Sequence, residues 1–194
     1  MVDPEKAWAL VCEWTESESL RGHMWAVGAA MAAYARQFGE EEALWRTVGL
    51  LHDFDYERYP EIGPEGHPLV GVRHLTETGW PDEITHAILA HAAPVTGVEP
   101  CNRMEETLVA VDELTGLITA VALVRPSKNI GDVTVRSVKK KWKDRRFAAG
   151  VNREEIAEAA DALHIPLDQH IGSVLAAMQD EAEALGLAGE GGDA

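Results

Sequence analysis

Four histidines and two aspartates in this chain have the side chains of a site for divalent metal ions. They are His23, the adjacent pair His52 and Asp53, then His67, His91 and Asp112. Four imidazoles and two carboxylates are enough ligands for two ions. Mixed nitrogen and oxygen ligands of this kind suit Fe, Mn, Co, Ni or Zn. The functional interpretation depends on whether these six side chains converge in the folded chain.

Helical periodicity places several of these residues on buried faces. His23 and His52 each follow an apolar residue of the same helix face by three or four positions, and Asp112 lies on the apolar stripe of the longest predicted helix. A single histidine at such a position is more often a hydrogen-bonded core residue, and His67, in a loop, is by itself more often exposed. A buried carboxylate, however, is costly unless it is paired or binds a metal. The six residues together are therefore stronger evidence for a metal site than any one of them alone.

Residues close to the six are candidates for supporting roles. His86 precedes His91 by five positions, which is a poor spacing for two ligands on one helix face. We therefore take His91 as a ligand and His86 as a residue that supports the ligands or faces the substrate.

The elements that must position these residues are predicted to be helices throughout. Apolar residues recur every three or four positions, and long alternating runs typical of strands are absent from the sequence. Capping residues and prolines predict helices over about 4–15, 19–38 with Ser19 as the cap, 41–52, 68–78, 81–92, 103–124, 134–143, 152–163 and 167–185. The proline- and glycine-rich stretch 55–68 is predicted to be a loop, and a loop beside a site often shapes it. The fold class expected is all-α, a single compact helical domain over residues 1–187, with 188–194 as a disordered tail.

Composition restricts the partners and the compartment. The formal net charge of -16 disfavours extended nucleic acid and anionic membranes, but a bound metal would still admit a small anionic ligand. Cys12 and Cys101 form no CxxC pair, so we expect reduced thiols and no thiolate zinc site. With no basic leader and no apolar stretch of about 18 residues, the chain is predicted to be cytoplasmic.

The order of the six residues resembles the signature of the HD-domain metal-dependent phosphohydrolase superfamily. The similar segments are 48–53, which ends in His52-Asp53, then 65–71, 87–91 and 111–114. The resemblance covers about residues 18–125 as the HD core, followed by a C-terminal helical extension over about 126–187. Segments 112–128 and 147–151 are also similar to a small bacterial subfamily without an agreed substrate. One departure is Phe54-Asp55, where the superfamily often has Ile-Gly.

The resemblance implies a dinuclear centre. One ion would be held by His23, His52, Asp53 and Asp112. The second would be held by His67 and His91, with Asp53 as the bridge between the two ions.

The activity that the resemblance implies is hydrolysis of a phosphomonoester, phosphodiester or phosphoanhydride of a nucleotide by a metal-bridging hydroxide. Asp53, His86 and Glu113 are the candidate catalytic residues, and Arg125 and Lys128 are candidates for binding substrate phosphate. Two alternatives stay open, a diiron oxygenase with the same ligands and a non-catalytic nucleotide-binding regulator. The basic run 139–146 would steer an anionic substrate, bind nucleic acid or form a solvated helix face. The sequence does not indicate an oligomeric state.

Overall fold

Ten α-helices and one 3₁₀ helix form the described part of the chain, residues 2–61 and 63–189 of a computed structural model. The helices are α1 (Pro4–Trp14), α2 (Glu18–Phe38), α3 (Glu42–Leu51), α4 (Leu69–Glu77), α5 (Asp82–His91), α6 (Ala93–Thr96), α7 (Arg103–Leu123), α8 (Val135–Trp142), α9 (Arg153–Ala162) and α10 (Leu167–Asp180), with the 3₁₀ helix Ile130–Asp132 between α7 and α8. The described residues include no named strand, and the predicted all-α fold class is confirmed. None of the described helices is both long enough and apolar enough to cross a membrane.

Polar side chains begin most of these helices at or near the predicted positions. Asp3 accepts a hydrogen bond from the backbone N–H of Glu5, and Thr134 and Ser137 form a reciprocal capping box at α8. The predicted cap of α2 was wrong by two residues. Ser17, whose backbone is extended, accepts from the N–H of Leu20, so Ser19 lies within the first turn.

The closest helix contact is between α2 and α3. A Cβ atom on Gly49 would lie 2.8 Å from the Cα atom of Gly28, a distance that no side chain tolerates. The two helices therefore approach backbone to backbone. This contact fixes the distance between His23 on α2 and His52 at the end of α3.

The core is built around α2 and α7. The apolar stripe of α7, including Leu108, Val111 and Leu114, is fully buried. A buried polar contact joins α10 to both helices, since His170 Nε2 donates to Ala110 O at 2.8 Å and Tyr34 Oη lies 2.6 Å from His170 Nδ1. His23 on α2 and Asp112 on α7 thus belong to helices that are tightly packed in the core.

The end of α10 differs from the sequence prediction. This helix ends at Asp180, and turns follow over 181–186. Glu181 accepts hydrogen bonds from Trp25 Nε1 at 3.3 Å and from the Arg46 guanidinium at 3.0 Å, contacts that no local periodicity predicts. Residues 190–194 of the predicted tail lie outside the described part of the chain.

Candidate metal centre

The six predicted ligands converge from five parts of the fold. They form two groups, His23 with His52 and Asp112, and Asp53 with His67 and His91; within each group the potential ligand atoms lie within 4.8 Å of one another. His23 comes from α2 and Asp112 from α7, while His52 and Asp53 follow the last turn of α3, His67 precedes α4 and His91 ends α5.

Asp53 lies between the two groups. Its Oδ1 atom is 3.3 Å from His67 Nε2 and 3.6 Å from His91 Nε2. Its Oδ2 atom is 3.4 Å from His52 Nε2 and 3.8 Å from His23 Nε2. Each carboxylate oxygen therefore faces one group, which is the geometry a bridging ligand needs.

Asp112 completes the first group. Its Oδ1 atom is 3.0 Å from His23 Nε2 and 3.5 Å from His52 Nε2. The side chain of His52 is fully buried, whereas those of His23 and Asp112 are about a quarter exposed. Solvent therefore reaches the first group through His23 and Asp112, but not through His52.

Backbone carbonyls orient two of the imidazoles. His52 Nδ1 lies 2.7 Å from Gly49 O, and His91 Nδ1 is hydrogen-bonded to Ile88 O. A carbonyl oxygen only accepts, so Nδ1 carries the proton in both rings and donates it. The lone pair of a neutral ring is then on Nε2, directed into the centre.

A carboxylate orients His67 in the same way. Asp55 Oδ1 lies 2.7 Å from His67 Nδ1, and Asp55 Oδ2 accepts from the backbone N–H of Gly71 at 2.6 Å. Asp55 is 1% exposed, so water does not compete for these bonds. In the sequence, Asp55 is distinguished only as a departure from Ile-Gly, because nothing local indicates that its partner is twelve residues away.

The fourth imidazole is oriented by a hydroxyl. Thr115 Oγ1 donates its proton to the Asp112 carbonyl at 2.7 Å. The same hydroxyl oxygen is therefore free to accept from His23 Nδ1 at 3.4 Å. All four Nε2 lone pairs thus face two carboxylates. This donor set fits divalent transition metals, for which neutral imidazole and carboxylate are ordinary ligands.

The charges of the centre also favour a cation. Burial alone would lower the pKa of His52, but the carboxylates of Asp53 and Asp112 raise it well above its usual value. Burial would raise the pKa of Asp53, yet His52 and His91 hold it well below its usual range. The negative field that draws a proton to these nitrogens also attracts a divalent cation, and the two compete.

A cavity of about 500 Å³ opens beside His23. Gly22 and Gly116 line it, and a Cβ atom at either glycine would meet open space. Leu123 and Leu187 are among its apolar lining residues. The cavity is therefore suited to the body of a ligand whose reactive group reaches the six-residue centre.

The remaining predicted site residues lie outside the two groups. His86 Nδ1 is 2.7 Å from Glu105 Oε1 and belongs to a separate group. Glu113 is next to Asp112 on α7 and is half-buried; burial, Asp112 and Glu155 raise its pKa. Their catalytic roles stay predictions.

Arg125 and Lys128 follow the end of α7. The eleven residues from Asp112 to Leu123 span about 16 Å of helix, so the structure does not bring either base into the six-residue centre. Leu123, however, lines the cavity beside His23, and Arg125 follows it by two residues. The role of both residues in binding substrate phosphate stays a prediction.

The basic run 139–146 is partly paired. Lys139 Nζ lies 2.6 Å from Asp168 Oδ1, and both terminal nitrogens of Arg145 bind the Glu154 carboxylate. These contacts favour the solvated, salt-bridged helix face among the three alternatives.

Comparison with known proteins agrees with this geometry. Residues 20–187 match the family model described as the HD domain, a range that includes all six residues and also the whole of the segment 126–187. Comparisons with curated proteins and with solved structures gave no match. Since the match covers well over half of the chain, the chain belongs to the HD domain family.

Proposed function

We propose that the chain is a metal-dependent phosphohydrolase that cleaves a phosphate ester or anhydride of a small molecule, in the first instance a nucleotide. The observation that supports this most strongly is the position of Asp53, whose two carboxylate oxygens face two separate groups of ligands. A shared carboxylate is what two neighbouring cations require, and a pair of cations suits phosphoryl transfer.

The six residues would bind two ions, and each ion would have its own set of ligands. His23, His52 and Asp112 would bind one ion, His67 and His91 the other, and Asp53 both. Two divalent ions bound there would lower the pKa of a shared water and polarise a phosphoryl oxygen. Because their Nδ1 atoms are already hydrogen-bonded, the rings meet the ions without reorientation.

Glu113 is the candidate proton donor to the leaving group. It adjoins Asp112, and its pKa is raised first by burial and then by the Asp112 and Glu155 carboxylates. A carboxyl group with a raised pKa retains its proton closer to neutral pH, as a general acid must. Glu113→Gln should lower kcat while metal content is retained.

The cavity beside His23 would hold the body of the substrate. Its described lining includes glycine, serine, threonine, leucine and one acidic residue, Glu18, but no lysine or arginine. Recognition of the reacting phosphate would therefore depend on the bound ions. The walls supply apolar contact, the hydroxyl groups of Ser19 and Thr119, and the carboxylate of Glu18, which would favour the uncharged part of the substrate.

The proposal is tested by elemental analysis of anaerobically purified protein, followed by a nucleotide-hydrolysis screen with Mn, Co or Fe supplied. Asp53→Ala should lose both ions and all hydrolysis, while Asp161→Ala, at an exposed aspartate of α9, should retain both. Hydrolysis that survives Asp53→Ala contradicts the mechanism. Oxygen uptake by the iron-loaded protein without phosphate release would favour the diiron oxygenase, and a metal-loaded but inactive protein would favour a regulator.

A further inference from the structure

A third group of potential ligands lies apart from the six-residue centre. It consists of His86 on α5, Cys101 in the loop before α7 and Glu105 in the first turn of α7, whose potential ligand atoms all lie within 4.8 Å of one another. Glu105 and Asp112 are seven residues apart on α7, which corresponds to about 10 Å. The group is therefore distinct from the proposed dinuclear centre.

The carboxylate of Glu105 is buried and held in place. Glu105 is 1% exposed, its Oε1 atom lies 2.7 Å from His86 Nδ1, and its Oε2 atom accepts from the backbone N–H of Cys101 at 2.8 Å. The N–H of Glu105 donates to Asn102 Oδ1 at 3.1 Å, which fixes the first turn of α7. A buried carboxylate that is already oriented is well suited to bind a cation.

The other two side chains are accessible. The His86 side chain is 44% exposed, and Cys101 is exposed. Imidazole nitrogen, thiolate sulfur and carboxylate oxygen are the three ligand types that zinc takes from proteins. Three protein ligands with one open side correspond to a tetrahedral zinc site whose fourth position is taken by water.

We propose that His86, Cys101 and Glu105 bind one Zn²⁺ or a similarly soft divalent cation at the surface between α5 and the start of α7. The cation would take the place of the proton between His86 and Glu105, which would move to Nε2 of the exposed His86 ring and leave the imidazole neutral. The thiol proton of Cys101 would pass to solvent. His86 Nδ1 and Glu105 Oε1 would separate from 2.7 Å to about 3.3 Å, the spacing of two ligands at tetrahedral zinc. The exposed His86 ring can make this movement.

The sulfur ligand gives the site a signature of its own. All six ligands of the proposed dinuclear centre are nitrogen or oxygen donors, so only Cys101 would produce a thiolate-to-cobalt charge-transfer band when Co²⁺ is added to the full chain. In Asp53→Ala, which should bind no ion at the dinuclear centre, we expect this band to saturate at one cobalt ion per chain. It should persist in Asp53→Ala and in Cys12→Ser, the matched cysteine control, and disappear in Cys101→Ser and His86→Ala.

A second measurement uses the wild-type chain alone. Bound zinc should slow alkylation of Cys101 by roughly tenfold or more, because a metal-bound thiolate is a poor nucleophile, and should leave the rate at Cys12 unchanged. A cobalt-loaded chain with no charge-transfer band, a band that survives Cys101→Ser, or equal alkylation of Cys101 with and without zinc would overturn the proposal. None of these results depends on hydrolytic activity, so failure here is distinguishable from failure of the proposed function.

Discussion

Asp55 Oδ1 lies 2.7 Å from His67 Nδ1, and this contact determines which nitrogen of the ring faces Asp53. The proton shared with Asp55 stays on Nδ1, so the Nε2 lone pair is directed at the centre. Asp55 itself is held by the N–H of Gly71. At the position where the HD superfamily often has Ile-Gly, this chain thus has Phe54-Asp55, and the Asp55 carboxylate orients one of the ligands.

Asp55→Asn should weaken metal binding without removing a ligand. If the amide oxygen accepts from Gly71, the amide NH₂ group faces His67 Nδ1 and forces the ring proton onto Nε2, where it blocks coordination. Loss of a hydrogen bond that orients a ligand typically costs about 10–100-fold in metal affinity. Elemental analysis after dialysis should show loss of the ion bound by His67 and His91, with the other retained.

The control for this prediction is Asp82→Asn, at an exposed position in the first turn of α5, which should retain both ions. Equal metal content in Asp55→Asn and in the wild-type chain would show that Asp55 does not position His67.

Gly49→Ala should destabilise the fold and displace His52. The new Cβ atom would lie 2.8 Å from Gly28 Cα, so α2 and α3 must separate. Overpacking of this kind costs about 1–3 kcal/mol. Urea unfolding of the chelator-treated protein measures the loss.

Gly116→Ala is the matched comparison. Gly116 is inside α7 with open space around its Cβ position, so alanine should stabilise the helix by about 0.5–1 kcal/mol. If the two alanine variants change the free energy of unfolding in the same direction, Gly49 is not required for the close approach of α2 and α3.

A larger side chain in the cavity should impair substrate binding alone. Gly116→Leu would project into the space beside His23. We expect KM for the nucleotide identified in the screen to rise by roughly tenfold, which corresponds to about 1.4 kcal/mol of binding, with metal content unchanged. An unaltered KM would show that the substrate does not occupy this cavity.

His170 should make the stability of the fold depend on pH. Burial lowers its pKa, although its bond to Ala110 O partly offsets this. The unfolded chain therefore takes up this proton at a higher pH than the folded chain does. The contribution of His170 is complete above about pH 6.5 and is lost as the pH falls through the lower pKa of the folded state.

Urea unfolding between about pH 8 and pH 5 checks this on chelator-treated protein. His170→Gln should be less stable at the upper end and should lose less stability on acidification than the wild-type chain. His164→Asn, at an exposed position with φ of 57°, should retain the wild-type dependence. Identical pH dependence in His170→Gln and wild type would exclude His170 as the titrating group.

Local sequence signals were sufficient for most of the fold and for the residue types of the candidate site. Caps such as Asp3 and Asn152 and the apolar periodicity act within a few residues, so helices could be assigned from them. The order of the six histidines and aspartates was enough to indicate the HD domain family, which the family match confirms.

Only the tertiary structure decided how distant side chains meet. The division of the Asp53 oxygens between two groups, the contact of Asp55 with His67 and the grouping of His86 with Cys101 and Glu105 all depend on how loops and helices pack. The sequence predicts no thiolate zinc site, because Cys101 belongs to no CxxC pair. The potential partners of Cys101 come instead from α5 and α7. The distance between these helices is set by side-chain packing, so it cannot be predicted from the spacing of the residues along the chain.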